Sequence, residues 1–234
     1  MAPIRARLPL GRDGPEDVRG GVEPGGAIPV RTHVLTPRDD LADVVRRYAG
    51  PFLGPDTVVA ISESAVAIVQ RRYLNPDDIV PGFWARVVAR FVDRTGSLSS
   101  PYALQAVMSE EGTARVTLAF LAGFFSRLFL RRRGDFYRLA GPQAALVDDV
   151  TGTLPPFDKY IVLGPTRSQE EVDRIRRATG AETAIVDVND LGSVHILAAT
   201  DRVDTWALTE ALRSNPAGNA DEQTPIVVVR GATL

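Results

Sequence analysis

TAIVDVNDLG, residues 183–192, is the stretch on which the reading of this chain turns. The apolar run Ala184-Ile185-Val186 is short, β-branched and bounded by turn formers, which predicts a buried strand. It ends in oxygen-bearing side chains, Asp187, Asn189 and Asp190, and Gly192 follows closely. Open α/β sheets keep their ligand sites at such strand ends. Two carboxylates and an amide this close together match the oxygen donors that a hard divalent cation takes. The same residues also suit a plain turn, because Asx side chains bond the local backbone and glycine bends it. Both readings stand at this point.

Working outward, the last third of the chain alternates. Residues 160–163 form a strand, and 168–179 a helix with Ser168 as cap and Glu171 at capping-box spacing. Gly180 ends that helix. Strands follow at 183–188 and 194–198, then a helix over 204–213 and a final buried strand over 225–231. Strand–helix–strand alternation predicts an α/β fold.

The first third repeats the theme. Residues 28–35 read as a strand broken by Thr36-Pro37. Asp39-Asp40 opens a helix, one of the pair capping it and both suiting its positive end. Leu41, Val44, Val45 and Tyr48 give that helix an apolar stripe, which Gly50-Pro51 terminates. Residues 57–61 form a second buried strand closed by Ser62-Glu63-Ser64, and 65–70 begin a helix or a further strand. Between the thirds, residues 82–130 carry helical spacing, with Phe83, Trp84, Val87, Val88 and Phe91 on one repeat. Pro101 suits a helix start, and residues 113–130 form a strongly apolar helix. Residues 136–139 read as a short strand. The expected organisation is an arm over residues 1–27 and one α/β domain over 28–234, with a helical subregion at 82–130.

Composition removes several classes of function. The chain has 234 residues, 44% hydrophobic and 24% charged, as in an ordinary globular protein. It contains no cysteine, which excludes disulfides, zinc thiolate sites, iron–sulfur clusters and thiol nucleophiles. Two histidines, His33 and His195, leave little room for a histidine-rich metal site. A net charge of −2 gives no electrostatic footprint for nucleic acid. The first residues are rich in Gly, Pro and Arg without the apolar run of a signal peptide. The apolar segment 116–130 is shorter than the ~20 residues that a spanning helix needs. A cytoplasmic protein with neither membrane nor nucleic-acid partners is expected. That apolar helix then needs a covering surface.

With these segments placed, the chain resembles the coenzyme F-420-0:γ-glutamyl ligases, as a shorter, divergent branch. Arg38-Asp39-Asp40-Leu41 resembles the family's Gly-Asp-Asp-Leu block. DTVVAISESAVAIVQRR, residues 56–72, resembles its strand followed by Ser-x-Lys-x-Val-Ser-x-x-Glu-Gly-Arg. Leu163-Gly164-Pro165, the helix carrying Ile175-Arg176, and AIVDVNDLG resemble its central strand–helix–strand unit. PIVVVRG, residues 225–231, resembles its terminal strand. The chain departs from the pattern at Ser64, where the family has lysine, at Gln70, where it has glutamate, and at Ser193, where it has arginine.

The resemblance implies an α/β fold of mixed sheet with a helical insertion in mid-chain, assembled as a homodimer. It implies a ligase that uses GTP and Mg²⁺ or Mn²⁺ to join L-glutamate in amide linkage to coenzyme F-420-0 or a related carboxylated, phosphorylated substrate. Asp187, Asn189 and Asp190 would hold the metal. Ser62, Arg72 and Arg230 would contact nucleotide or phosphate, since hydroxyls and guanidinium groups bind it well. No residue is assigned to catalysis. Asp148-Asp149 and Asp158-Lys159 offer an alternative site wall. The competing expectation is a non-catalytic or repurposed metabolite-binding protein on the same scaffold.

Overall fold

The computed structural model describes residues 26–92, 97–129, 134–150, 155–189, 192–218 and 222–234. Most of the arm expected over residues 1–27 lies outside them. Its last residue does not belong to an arm: fully buried Ala27 opens strand β1, Ala27–Val30.

Mixed α/β architecture is present, as expected. Strand β2 is Thr57–Ser62, β5 Glu182–Val188, β6 Val194–Ala199 and β7 Ile226–Arg230. They form one sheet with β1 in the order β1-β7-β2-β5-β6. Only β2 and β5 run parallel; the other neighbours are antiparallel. A small second sheet pairs β3, Tyr73–Leu74, with β4, Ile161–Val162.

Period-two alternation explains how one sheet builds two cores. Val59, Ile61, Ile185, Ile226 and Val228 face one layer, covered by the helix over residues 41–49 and by helix α8, Ser168–Thr179. Val58, Ala60, Ala184, Val186, Val227 and Val229 face the other, under helix α9, Thr205–Leu212. The residue 41–49 helix begins as α1, Leu41–Val44, and continues as a π-helical turn, Val45–Ala49. Asp40 caps α1 by accepting from the Ala42 and Asp43 N–H groups, as its acidic start predicts.

Helix α2, Glu63–Val69, follows β2 without a loop. A helical body then forms from α3, Phe83–Ala89, α4, Pro101–Glu111, α5, Thr113–Phe129, α6, Asp135–Ala140, and α7, Pro142–Leu146. It has its own apolar cluster around Leu104, Met108, Val116 and Ile161. Among the described residues no helix is long and apolar enough to cross a membrane.

Two local expectations fail. Residues 136–139 are helical in α6, not a strand, because Asp135 bonds Ser126 of α5 and the segment packs on that helix. Gly123 of α5 permits the approach: a Cβ there would stand 2.9 Å from the Phe136 Cβ. Ser168 is the first residue of α8 rather than its cap. Arg167 holds the cap position in left-handed backbone without a capping side chain, and Glu171 is drawn to Arg174 instead.

Candidate functional site

The parallel pair β2 and β5 ends on one side of the sheet, and antiparallel β7 begins there. The Ser62 N–H donates to the Pro225 carbonyl at 2.9 Å, tying the end of β2 to the start of β7. Three of the resembling blocks are therefore adjacent central strands, and their ends frame one cavity of about 500 Å³. Ser62, Glu63 and Ser64 form one wall, Asp187, Val188 and Asn189 another. Asp148 enters from the chain after α7, held by reciprocal backbone hydrogen bonds with Val162 of 2.8 and 2.9 Å. Thr32 and His33 enter from the chain after β1.

The cavity is acidic. Glu63 is 5% exposed, and its Oε2 is buried without a hydrogen-bond partner. Burial, then the charges of Asp148 and Asp187, push its carboxyl up to about 9 against a hydrogen bond with Ser64, so Glu63 keeps its proton at neutral pH. Burial also raises Asp148, to about 6; a hydrogen bond from Ser64 opposes this and the charge of Asp187 adds to it. Asp187 is raised by burial, against the pull of His195, its direct neighbour across the β5–β6 ladder. Neither lysine nor arginine lines the cavity among the described residues. His33, the one histidine in its wall, is engaged at both ring nitrogens, 2.9 Å from the Tyr48 hydroxyl and 2.8 Å from Asp39 Oδ1.

The structure brings some predicted site residues together and separates others. Ser62, Asp187 and Asn189 line the cavity. Asn189 also makes the turn that the sequence offered as an alternative: its Oδ1 accepts from the Ser193 N–H at 3.0 Å, and its carbonyl from the Gly192 N–H. Asp190 lies outside the described residues. Arg72 does not reach the cavity. Its guanidinium donates to the Gly164 carbonyl at 2.7 Å and to Glu110 at 2.6 Å, tying the sheet to the helical body. Arg230 pairs with Thr57 at the start of β2, so it stands at the opposite end of the sheet. A phosphate site combining Ser62, Arg72 and Arg230 is therefore not formed. Gln70 is bound to Thr166, accepting from its N–H at 2.8 Å.

Sequence reading missed Glu63 and His33 as members of the site. Glu63 lies between a strand and a helix, where a carboxylate reads as an ordinary first-turn residue. Only the arrival of β5 and the chain after α7 buries it. Asp148 was within reach, as part of the alternative acidic wall. Asp158, from the same expectation, is not in the cavity wall. Among the described residues no three carboxylate or histidine side chains gather closely enough to chelate one ion.

The sequence matches no protein-family model, and a search of curated proteins gives no match either. The chemistry of the cavity thus rests on its own residues. It offers a partly apolar chamber that favours positive charge, beside a hydroxyl and an amide able to orient a polar ligand.

Proposed function

We propose that this chain is an amide-forming ligase working in this cavity. The observation that carries the reading is convergence. Ser62, Glu63, Asp148, Asp187 and Asn189, drawn from segments far apart in the sequence, line one cavity at the ends of the strands that resemble the γ-glutamyl ligases. The reaction joins an amine, L-glutamate in that family, to a carboxylated, phosphate-bearing substrate of the F-420-0 class, with GTP supplying the activating phosphate.

Mg²⁺ or Mn²⁺ fits the residues present. Mg²⁺ is commonly held by one or two carboxylates, with waters and substrate phosphates completing its shell. Asp187 and Asn189 would hold it, with Asp148 setting the negative field beside it. Such an ion neutralises phosphate charge, a task that no lysine or arginine in the described wall performs. The protein's own groups orient the substrate and exclude water, which the buried floor beside Phe157 and Ile68 favours. The same reading includes a cytoplasmic homodimer, its apolar α5 face covered by the second copy.

Calorimetric titration of GTP and ATP, with and without Mn²⁺, tests the proposal. Metal-dependent GTP binding that disappears in Asp187→Ala is expected. Binding of neither nucleotide would overturn it. A second reading, a metabolite-binding protein without ligase activity, draws support from Arg72 and Gln70, whose side chains are committed to Gly164, Glu110 and Thr166. It predicts ligand binding without nucleotide.

A further inference from the structure

The cavity floor carries an observation that the ligase reading leaves unused. Glu63 is 5% exposed, and its Oε2 has no partner. A buried polar atom left unpaired costs free energy that a ligand donor recovers. The charged groups facing it are Asp148 and Asp187, with Glu222 also in the cavity wall. The described wall offers no lysine or arginine in return. A positively charged donor brought by the ligand would supply the missing partner, ionising Glu63 as it binds, because a nearby cation favours the carboxylate.

The form of that donor follows from the spread of the carboxylates. Among the described residues no three of them gather around one point, so the negative charge is spread along the wall. Val34, Leu35, Ile68, Phe157 and Val188 interleave with them and suit a methylene chain. L-glutamate would bring two further carboxylates into an already acidic chamber, and like charges repel strongly where water is scarce.

We propose that Glu63 and Asp148 form a binding site for the ammonium groups of an aliphatic diamine or polyamine, which is the amine partner of this protein. As a statement about the reaction this rests on the ligase reading; as a statement about binding it does not. Ser64 fixes Asp148 by a hydrogen bond of 3.0 Å, while Glu63 Oε2, unpartnered within the protein, receives the ligand N–H. A second ammonium group reaches toward Asp187.

The test titrates the full chain, without nucleotide, with 1,4-diaminobutane, with L-glutamate and with MnCl2 in separate calorimetric runs. Diamine binding is expected, weakened roughly tenfold or more by Glu63→Gln and by Asp148→Asn, because each removes a charge-assisted hydrogen bond. Glutamine copies the shape of the protonated acid, and circular dichroism with a thermal melt checks that both variants fold. Asp187→Asn supplies a third variant, in which weaker diamine binding also supports the site. No diamine binding, affinity unchanged in all three variants, tighter binding of L-glutamate, or Mn²⁺ binding that both Glu63→Gln and Asp148→Asn abolish would each overturn the proposal. A protein that binds diamine but neither GTP nor ATP keeps this site and loses the ligase reading. One that binds metal–GTP but no diamine keeps the ligase reading and loses this site.

Discussion

Ser64 Oγ donates a hydrogen bond of 3.0 Å to Asp148 Oδ2, joining the first turn of α2 to the chain after α7. Ser64 occupies the position where the resembling ligases carry lysine. A hydroxyl satisfies the carboxylate without neutralising it, so the cavity keeps its negative charge. Ser64→Ala removes the only force that lowers Asp148 against burial and the charge of Asp187. The pKa of Asp148 should rise further, and stability at pH 7.5 should fall by about 1 kcal/mol, the usual worth of such a bond. Urea denaturation at pH 7.5 and pH 5 measures this. The loss should shrink at pH 5, where Asp148 is protonated. Equal losses at both pH values would contradict the assignment.

The cavity acids also set a pH profile. Glu63 is raised to about 9 and Asp148 to about 6 in the folded chain. Unfolded, both titrate near 4. Between the two values the folded state holds more protons than the unfolded state, so stability falls as pH rises. A full proton's difference is worth about 1.4 kcal/mol per pH unit. The loss should begin above pH ~4, run steepest up to the folded value of Asp148, continue more gently and end near the folded value of Glu63. On the acid side Asp39 works oppositely. Burial raises it, but hydrogen bonds from His33 and Thr36 outweigh burial and hold it low, so its contribution is present above its unfolded value and lost as pH falls below it. Denaturation midpoints from pH 4 to 9 should peak on the acid side of neutrality. Glu63→Gln should flatten the alkaline limb and be more stable than the parent at pH 8. A parent profile flat from pH 5 to 9 would refute the burial of ionisable Glu63.

Gly164 shows how the sheet meets the helical body. A Cβ at this position would stand 2.6 Å from the Leu146 Cβ, while the Gly164 carbonyl accepts from Arg72 at 2.7 Å. Neither side can yield easily, since Leu146 is buried in α7. Gly164→Ala should cost about 1–3 kcal/mol, as overpacking does. Gly180→Ala is the control: its Cβ would meet nothing within 4 Å, but its φ of 76° makes alanine strained. It should cost about 1 kcal/mol through strain alone. Thermal melts of the two variants separate contact from conformation, and a neutral Gly164→Ala would disprove the tight seam.

Much of the fold is legible in the sequence for simple reasons. β2, β5 and β7 are runs of β-branched residues bounded by turns, and a strand buried on both faces needs little else. Asp40 and Asp204 cap their helices as acidic residues ahead of an apolar stripe should. Ser168 misleads because its spacing to Glu171 is right, yet Arg174 offers Glu171 a stronger partner than a backbone N–H. Residues 136–139 mislead because a four-residue segment has no period of its own, and α5 decides its shape. At the site, Asp187, Asn189 and Ser62 were visible as polar residues ending strands. Glu63 was not, because its burial comes from chain segments remote in sequence. Arg230 was misplaced for want of strand direction: β7 runs antiparallel to β2, which sends its last residue to the far end of the sheet.

The outer face of α5 is the strongest reason to expect a second copy. Leu118, Phe125, Leu128 and Phe129 are each more than half exposed, and Phe125 stacks on Phe129 with ring centroids 6.0 Å apart. A contiguous apolar face of this kind normally marks an interface. Light scattering should give twice the chain mass of 25.3 kDa, and Phe125→Glu with Leu128→Glu should return a folded monomer. A parent that is monomeric at concentrations of about 100 μM, far above a specific dimer's dissociation constant, would remove the homodimer from the proposed function.

Ser64→Lys tests the cavity from the other direction. Lysine places an ammonium group on a flexible stem beside Asp148, in the same acidic chamber as Glu63 and Asp187. Its charge should lower both raised carboxyls, because a nearby cation favours their ionised form. Two consequences follow that a merely disruptive substitution would not produce together. The alkaline loss of stability should diminish, as in Glu63→Gln, and affinity for 1,4-diaminobutane should drop by roughly tenfold or more, since the new side chain occupies the place of a ligand ammonium group. Glu63→Gln added to Ser64→Lys should weaken diamine binding little further, because both changes act on one site and their effects do not add. Calorimetry on the single and double variants measures this coupling. Diamine affinity in Ser64→Lys equal to that of the parent would show that ligand ammonium groups do not sit between Glu63 and Asp148.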